Sequence, residues 1–291
     1  MKRKMNFWPA VFIGPFLILF IVFVLAPAVF GVFVSLTDWD LYNAPEFVGF
    51  DNFKTILFDT ESIYHDQFFN GAKNTLSFVV MAVPACIIIP LALALMLSVK
   101  ARGHKLFQSL LYLPNLFAIS AVMIIWAFQL SLSYGPFKDW FGLDINITST
   151  QPWAWIAIVG VTLWWCAGGN LIIYVAALNT IPKDQIEASQ IDGAGSVIRF
   201  FRIVLPNIRS QLLFTTVMTT IAQFNVYGQA LMLTGGGPNN STRVLMMYIQ
   251  QNAFGTGISA AGMAAAMAVL LGLVIMIFSG IQFMISRRAE A

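Results

Sequence analysis

Charge is what this chain has least of. Only 10% of its 291 residues are Asp, Glu, Lys or Arg, against 58% that are apolar, and the net charge is +3. The few basic residues lie at the ends of apolar runs rather than in a patch, which argues against a nucleic-acid surface. Cysteine is nearly absent too. Cys86 and Cys166 each lie within an apolar run, so both read as inert buried thiols rather than a disulfide or metal ligands. His65 and His104 have no ligand-spaced partners, and no nucleophile–base or carboxylate pair stands out, so neither a metal site nor intrinsic catalysis has support.

What the chain has instead is long apolar blocks. Uncharged runs of ~20 or more residues recur, the length that crosses a bilayer as a helix. Met1-Lys-Arg-Lys followed by an apolar stretch resembles a signal peptide. The uncharged run from Met5 to Thr37 is too long for a cleavable segment of ~7–15 residues, so it reads as a retained first span. Six spans follow from the pattern. The first is about Phe7–Leu36, with Pro9, Pro15 and Pro27 bending or ending parts of it. The second is about Thr75–Val99, carrying Pro84 and Pro90, and the third about Phe107–Leu130. The fourth is about Pro152–Leu178, the fifth about Leu212–Thr234 and the sixth about Ala260–Ile285. The expected fold class is an all-α integral membrane protein with six transmembrane helices. Between the fifth and sixth spans, Gly235-Gly-Gly-Pro-Asn-Asn-Ser-Thr242 is a turn-forming stretch.

Basic residues orient these spans. With the N-terminus inside, the inner segments hold Lys2, Arg3, Lys4, Lys100, Arg102, Lys105, Lys183, Arg199, Arg202, Arg209, Arg287 and Arg288. The outer segments hold only Lys54, Lys73, Lys138 and Arg243, so the positive-inside rule places both termini in the cytoplasm. The longest outer segment, about Thr37–Lys73, leaves no room for a sizeable extracellular domain. The inner loops are too short for a nucleotide-binding domain, and no G-x-x-x-x-G-K-[ST] loop occurs. Any energised transport therefore needs another chain to supply the energy.

One inner loop is unusual. Residues 183–209 carry Lys183, Asp184, Glu187, Asp192, Arg199, Arg202 and Arg209, between uncharged runs from Asn146 to Pro182 and from Ser210 to Thr242. Thr180 is a possible N-cap, Pro182 suits a first turn, and Asp184 and Glu187 favour the positive helix start. A short helix from about Lys183 to Ile191 would end at Gly193 in a left-handed C-cap. A second, from about Ser196, puts Val197, Ile198, Phe201, Val204 and Leu205 on one side, with Arg199 and Arg202 on the other. Pro206 then lets the chain turn into the fifth span. A solvated loop explains the charges equally well, but Ile186, Ile191, Val197 and Phe201 are too apolar for one. A helix–Gly–helix elbow that exposes acidic and apolar residues together suits docking into a groove on a partner.

These residues carry a family resemblance. Glu187-Ala-Ser-x-x-Asp192-Gly193-Ala, with Ile203-x-Leu205-Pro206 at matching distance, resembles the EAA loop of binding-protein-dependent ABC importer permeases. The match is to the carbohydrate branch, like the maltose-type first permease subunit. Ser35-Leu-Thr-Asp-Trp-Asp40 with Phe47-Val-Gly49, Leu113-Pro114, Trp126 and Leu233-Thr-Gly-Gly-Gly-Pro238 agree with it. Ser189 departs from the pattern, standing where a second alanine would be. The resemblance implies one importer transmembrane domain over residues 1–291, with core spans about 75–285, an additional first span about 7–36 and a coupling loop about 179–209. It implies that Asp184, Glu187, Ala188, Ser189, Asp192, Gly193 and Ala194 form a coupling helix seated in a cytoplasmic ATPase dimer. That dimer would use ATP and Mg, and this chain would bind no cofactor of its own. The other implied partners are a second permease subunit, an extracytoplasmic solute-binding protein, a sugar and membrane lipid, in a prokaryotic plasma (inner) membrane.

Polar residues inside spans are costly and face a bundle interior or a cavity. Trp164-Trp165-Cys-Ala-Gly168-Gly169-Asn170 lies near mid-depth of the fourth span, whereas Trp153 and Trp155 suit an outer aromatic belt. The glycine pair could loosen the helix as transporters do at a substrate site, or serve close packing of small residues. In the fifth span, Gln223 and Tyr227 share one helical face, Asn225 and Gln229 another. One of these faces either lines a solute path or bonds to a second permease. Trp164, Gly168, Gly169, Asn170, Gln223, Asn225 and Tyr227 are the expected path residues, and the resemblance points most directly to Asn225. Amides and aromatic rings suit a sugar, and no Lys or Arg lies within a span to hold an anion. A glycerol-phosphate-type or polyol solute stays open within the same class. An ion-coupled secondary transporter needs a charged residue inside a span, and none is there.

Overall fold

The computed structural model describes residues 8–99, 102–142, 144–255 and 259–288, and helices dominate it. Lys2, Arg3, Lys4 and Lys100, which helped to orient the chain, lie outside the described residues. Two compact units make up the chain, Met1–Phe69 with Tyr248–Leu273, and Asn70–Met247 with Val274–Ala291.

The first unit opens with α1 (Trp8–Phe20), a π-helical turn (Ile21–Leu25) and α2 (Ala26–Ser35). Prolines do not end this span. Pro15 lies inside α1, and Pro27 is accommodated by the wide turn before it, where the Ala26 N–H reaches back to the Ile21 carbonyl. A proline has no N–H for the carbonyl four residues back and crowds it, so an extra residue in the turn relieves the clash. Phe12 and Phe23 are 78% and 71% exposed, an arrangement suited to hydrocarbon rather than water. After α2, β1 (Thr37–Asp38) pairs antiparallel with β2 (Glu46–Phe47). The Asn43 and Tyr42 backbone N–H groups hold the Asp40 carboxyl below its ordinary pKa. Asn52, in α3 (Asp51–Phe58), donates to the Ser35 and Thr37 carbonyls at 3.0 and 2.9 Å, satisfying acceptors that the end of α2 leaves bare.

The polar segment expected over about Thr37–Lys73 is thus partly helical, and α4 (Ile63–Ser98) begins at Ile63 rather than near Thr75. Apolar length measures membrane thickness, not helix length. Asp66 favours the helix start and the Ser62 hydroxyl accepts the Tyr64 N–H, so the helix extends through polar residues.

In the second unit, the third predicted span is bent. α5 (His104–Tyr112) runs into a 3-10 turn (Leu113–Leu116), and α6 (Ile119–Gln129) leaves it at 98°. Pro114 tightens the chain there, and Phe117 and Ala118 take extended ψ angles of 146° and 141°. Then come α7 (Pro136–Phe141) and α8 (Trp153–Asn179), and the elbow of α9 (Lys183–Ile191), α10 (Ser196–Arg199), a π-helical turn (Phe200–Val204) and α11 (Leu205–Asn207). The predicted fifth span is two helices, α12 (Arg209–Phe224) and α13 (Gly228–Thr234). α14 (Leu245–Phe254) and α15 (Ala261–Arg288) complete the chain. Among the described residues, four helices are long and apolar enough to cross a membrane, and the bent α5–α6 pair makes a fifth if taken as one span.

The core of the second unit joins Phe78, Val122, Met123, Ile158, Val226 and Ala230. In a bilayer such packing gains dispersion contacts rather than relief from water, so polar ties matter more. Asn74 donates to the Asn240 and Arg243 carbonyls at 2.8 and 3.0 Å, and the Thr75 hydroxyl accepts the Leu245 N–H. The glycine-rich stretch beyond α13 turns as expected, Gly235 and Gly236 having positive φ, and the buried Thr242 hydroxyl donates to the Gly237 carbonyl.

Candidate functional site

The elbow is built as its residues suggest, with one correction. Thr180 does not cap α9. It still has helical angles, and its hydroxyl donates to the Ala177 carbonyl at 2.7 Å, finishing α8 instead. Pro182 precedes α9 without a side-chain cap. The far end is a full Schellman closure: the Ala194 N–H bonds the Ser189 carbonyl, the Gly193 N–H bonds Gln190, and Gly193 has φ +75°. Ile181 and Ile208 are buried with Ala177 at the base, and the Asn207 amide braces Gln185 at 3.1 Å. Asp184, Glu187, Ala188, Asp192 and Gly193 are exposed, and Ala194 is half-buried. Ser189 is buried, its hydroxyl donating to the Ile186 carbonyl at 2.6 Å, so it fits an alanine's position without an orphaned group. Ile191 is 88% exposed, with Val197 and Phe201 exposed beyond it.

The second feature is the gap between α12 and α13. The Asn225 and Val226 N–H groups each reach only three residues back, to Ala222 and Gln223, which tightens and ends α12. The Asn225 amide turns back onto the Ile221 carbonyl at 2.8 Å, competing with the backbone as asparagine does. Tyr227 adopts φ −147°, ψ −66°, and α13 restarts with Leu231 N–H bonding Tyr227. Gly228 lets α13 approach α6 closely, since a Cβ there would stand 3.0 Å from the Ile119 side chain.

This gap opens on a cavity of about 510 Å³. Gln223, Asn225 and Gln229 supply amides, Tyr227 a phenol, Trp165 and Cys166 an indole and a thiol, and Ile119, Leu231 and Met232 apolar walls. No charged residue lines it. The cavity wall is thus mainly apolar and aromatic, with a few neutral hydrogen-bonding groups.

Of the expected path residues, the break unites Gln223, Asn225 and Tyr227, which a continuous helix would have split between two faces. The fourth-span group is dispersed. α8 is unbroken through Gly168–Gly169, so the pair does not loosen it. Gly168 is close-packed instead: a Cβ would stand 2.6 Å from the Tyr112 Cα and 2.8 Å from the Leu111 carbonyl. Gly169 lies beside the Asn115 amide. Trp164 is outside the cavity lining, edge-on to Trp126 at 5.5 Å. The Asn170 amide donates to the Cys86 carbonyl at 2.8 Å and the Thr219 hydroxyl at 3.0 Å. Pro90 cannot bond that Cys86 carbonyl four residues before it, so Asn170 supplies the missing donor. Trp165 and Cys166 were not among the expected path residues. Their signal was position, one and two residues beyond Trp164 in the same mid-depth run.

Apolar helices of membrane-crossing length, an uncharged cavity at the α12–α13 gap and an exposed helical elbow suit a membrane transport protein. The chain belongs to the family described as "Binding-protein-dependent transport system inner membrane component", which matches residues 60–291. It is 33% identical to the probable starch degradation products transport system permease protein AmyD of Thermoanaerobacterium thermosulfurigenes, over 99% of this chain and 96% of the relative. It is 32% identical to the sn-glycerol-3-phosphate transport system permease protein UgpA of Escherichia coli, over 92% of this chain and 90% of the relative. A crystal structure of a bacterial ABC transporter involved in import of the acidic polysaccharide alginate contains a similar chain: TM-score 0.82, 25% identity, covering 98% of this chain and 96% of that one. This chain is thus a permease subunit of a binding-protein-dependent ABC importer, an inner-membrane component.

Proposed function

We propose that this permease passes an uncharged sugar, a di- or oligosaccharide, through the gap between α12 and α13. The observation that carries this reading is the lining of the 510 Å³ cavity, three amides, a phenol and an indole with no charged group. Sugar hydroxyls bond amides and phenols, and apolar sugar faces lie on aromatic rings. AmyD, similar over nearly the whole chain, is named for starch degradation products. UgpA is named for sn-glycerol-3-phosphate, which keeps a second reading open, but a phosphate calls for cationic donors that this lining lacks.

In this reading the chain is one importer domain of six spans, with α12–α13 as a broken span and both termini cytoplasmic. It pairs with a second permease and receives solute from an extracytoplasmic binding protein in a prokaryotic plasma membrane. It catalyses nothing and holds no cofactor. ATP and Mg act on a cytoplasmic ATPase dimer, in whose cleft the elbow sits. Glu187 pairs there with a basic residue, setting register more than affinity, and Gly193 holds the bend. Closure of the ATPases moves the elbow as a rigid body and rocks the spans.

The test is ATP-dependent uptake by the reconstituted importer in proteoliposomes, with maltotriose and sn-glycerol-3-phosphate as competing probes. Maltotriose uptake that glycerol phosphate does not inhibit supports the reading. Preferential glycerol-phosphate uptake moves it to the second one, and uptake by the tagged chain alone without ATP overturns both. Gly193→Val places a branched residue at positive φ, at a cost of about 1–2 kcal/mol, and should release the ATPase during purification.

A further inference from the structure

The bend in the third span has a partner that the functional reading does not use. The Phe117 carbonyl sits at the corner where α5 and its 3-10 turn meet α6, outside either helix's bonding pattern. The Trp165 indole N–H, reaching from α8, donates to it at 3.1 Å. The bond is answered from the other side, since the Asn115 amide donates to the Trp165 backbone carbonyl at 3.4 Å. One turn along α8, Gly168 packs directly against the Tyr112 backbone just before the corner. The same indole and the first residue after the bend, Ile119, both line the cavity.

We propose that Trp165 is a positioning residue that latches the third-span bend, so that whatever fills the cavity acts on the angle between α5 and α6 through one side chain. The consequence for solute rests on the cavity being the solute path. The latch itself does not. A solute leaning on the indole displaces its N–H from Phe117 and lets α6 move, and α13, packed on α6 through Gly228, moves with it. In the empty importer the latch holds the bend and keeps ATP hydrolysis low.

Trp165→Phe keeps a ring against the cavity and removes only the donor. The experiment uses the complete importer in nanodiscs, without solute, in a background of Cys86→Ala and Cys166→Ala with spin labels at the exposed positions Leu110 and Ile124. Two readouts are taken, the distance distribution between the labels and the basal ATPase rate. Loss of one net hydrogen bond should shift the bent population roughly threefold to tenfold, with a broadened distribution and a basal rate raised by a similar factor. Asn115→Ala should move both readouts in the same direction by less. Trp140→Phe, at an exposed position of α7, should move neither. An unchanged distribution in Trp165→Phe overturns the latch. So does a broadened distribution with an unchanged ATPase rate, because the bend would then not be coupled. The solute-path reading is judged separately, by maltotriose uptake in Asn225→Ala, and its failure would leave the two latch readouts standing while removing solute as the hand on the latch.

Discussion

The fourth and fifth spans both carry mid-depth residues that invite a broken helix, yet only one breaks. In α8 the Gly168–Gly169 pair has the weaker helix propensity, but the helix runs through it from Trp153 to Asn179. Between α12 and α13, where Asn225 is followed by the strand-prone Val226 and Tyr227, the helix stops for three residues. Glycine's loss of propensity is about 1 kcal/mol, small beside the close contact that Gly168 permits. Asn225 does more than weaken a helix, because its amide takes over the Ile221 carbonyl while the Asn225 and Val226 N–H groups take those of Ala222 and Gln223. Permission to bend is thus different from provision for an end. At membrane depth a helix end is tolerable only where its backbone groups find partners or line a cavity, and the α12–α13 gap has both.

Four substitutions probe that contrast, in falling order of effect. Gly168→Leu has no room beside the Tyr112 Cα and the Leu111 carbonyl. It should cost at least the roughly 1–3 kcal/mol of an overpacked core, seen as lost yield of folded permease on size-exclusion chromatography. Asn225→Leu removes the group that finishes α12. It should weaken solute uptake about tenfold, the size of one hydrogen bond of ~1.4 kcal/mol, while the purified complex elutes normally. Asn170→Leu leaves the carbonyl freed by Pro90 unbonded and should cost about 0.6 kcal/mol, reaching ~1.7 at most, measured as a lower thermal midpoint. Gly169→Ala has nothing nearer than 3.8 Å to its new methyl and should sit within about 0.5 kcal/mol of wild type. If Gly169→Ala proves as damaging as Gly168→Leu, the pair acts as a hinge after all and the contrast fails.

How much of this the sequence revealed depends on how local each cause is. The elbow was legible nearly to the residue. Pro182, Asp184 and Glu187 mark a helix start and Gly193 its end, and the structure has α9 at Lys183–Ile191 with Gly193 at φ +75°. Thr180 misled because the same hydroxyl can close one helix or open the next, and the choice turns on whether α8 has already ended. The polarity of Gln223, Asn225 and Tyr227 was visible but their meeting was not, because helical spacing assumes the helix that Asn225 terminates. Trp164 and Trp165 are indistinguishable in composition. Only their packing, against Trp126 in one case and Phe117 in the other, separates the tryptophan outside the cavity from the one that lines it. The third-span corner had a marker in Pro114, but its 98° angle depends on contacts with α8 and α13 that no local pattern encodes.

Whether solute passes through the gap between α12 and α13 can be read from a thiol placed in its lining. Cys166 is half-buried at the cavity wall rather than fully buried as Cys86 is, so neither native thiol is a ready probe. In an importer carrying Cys86→Ala and Cys166→Ala, Ala222→Cys puts a thiol at an exposed position of the lining. In membranes, a small hydrophilic thiol reagent should label it and abolish maltotriose uptake, and saturating maltotriose with binding protein should slow the reaction severalfold. Complete labelling with uptake unimpaired would mean that the solute passes elsewhere.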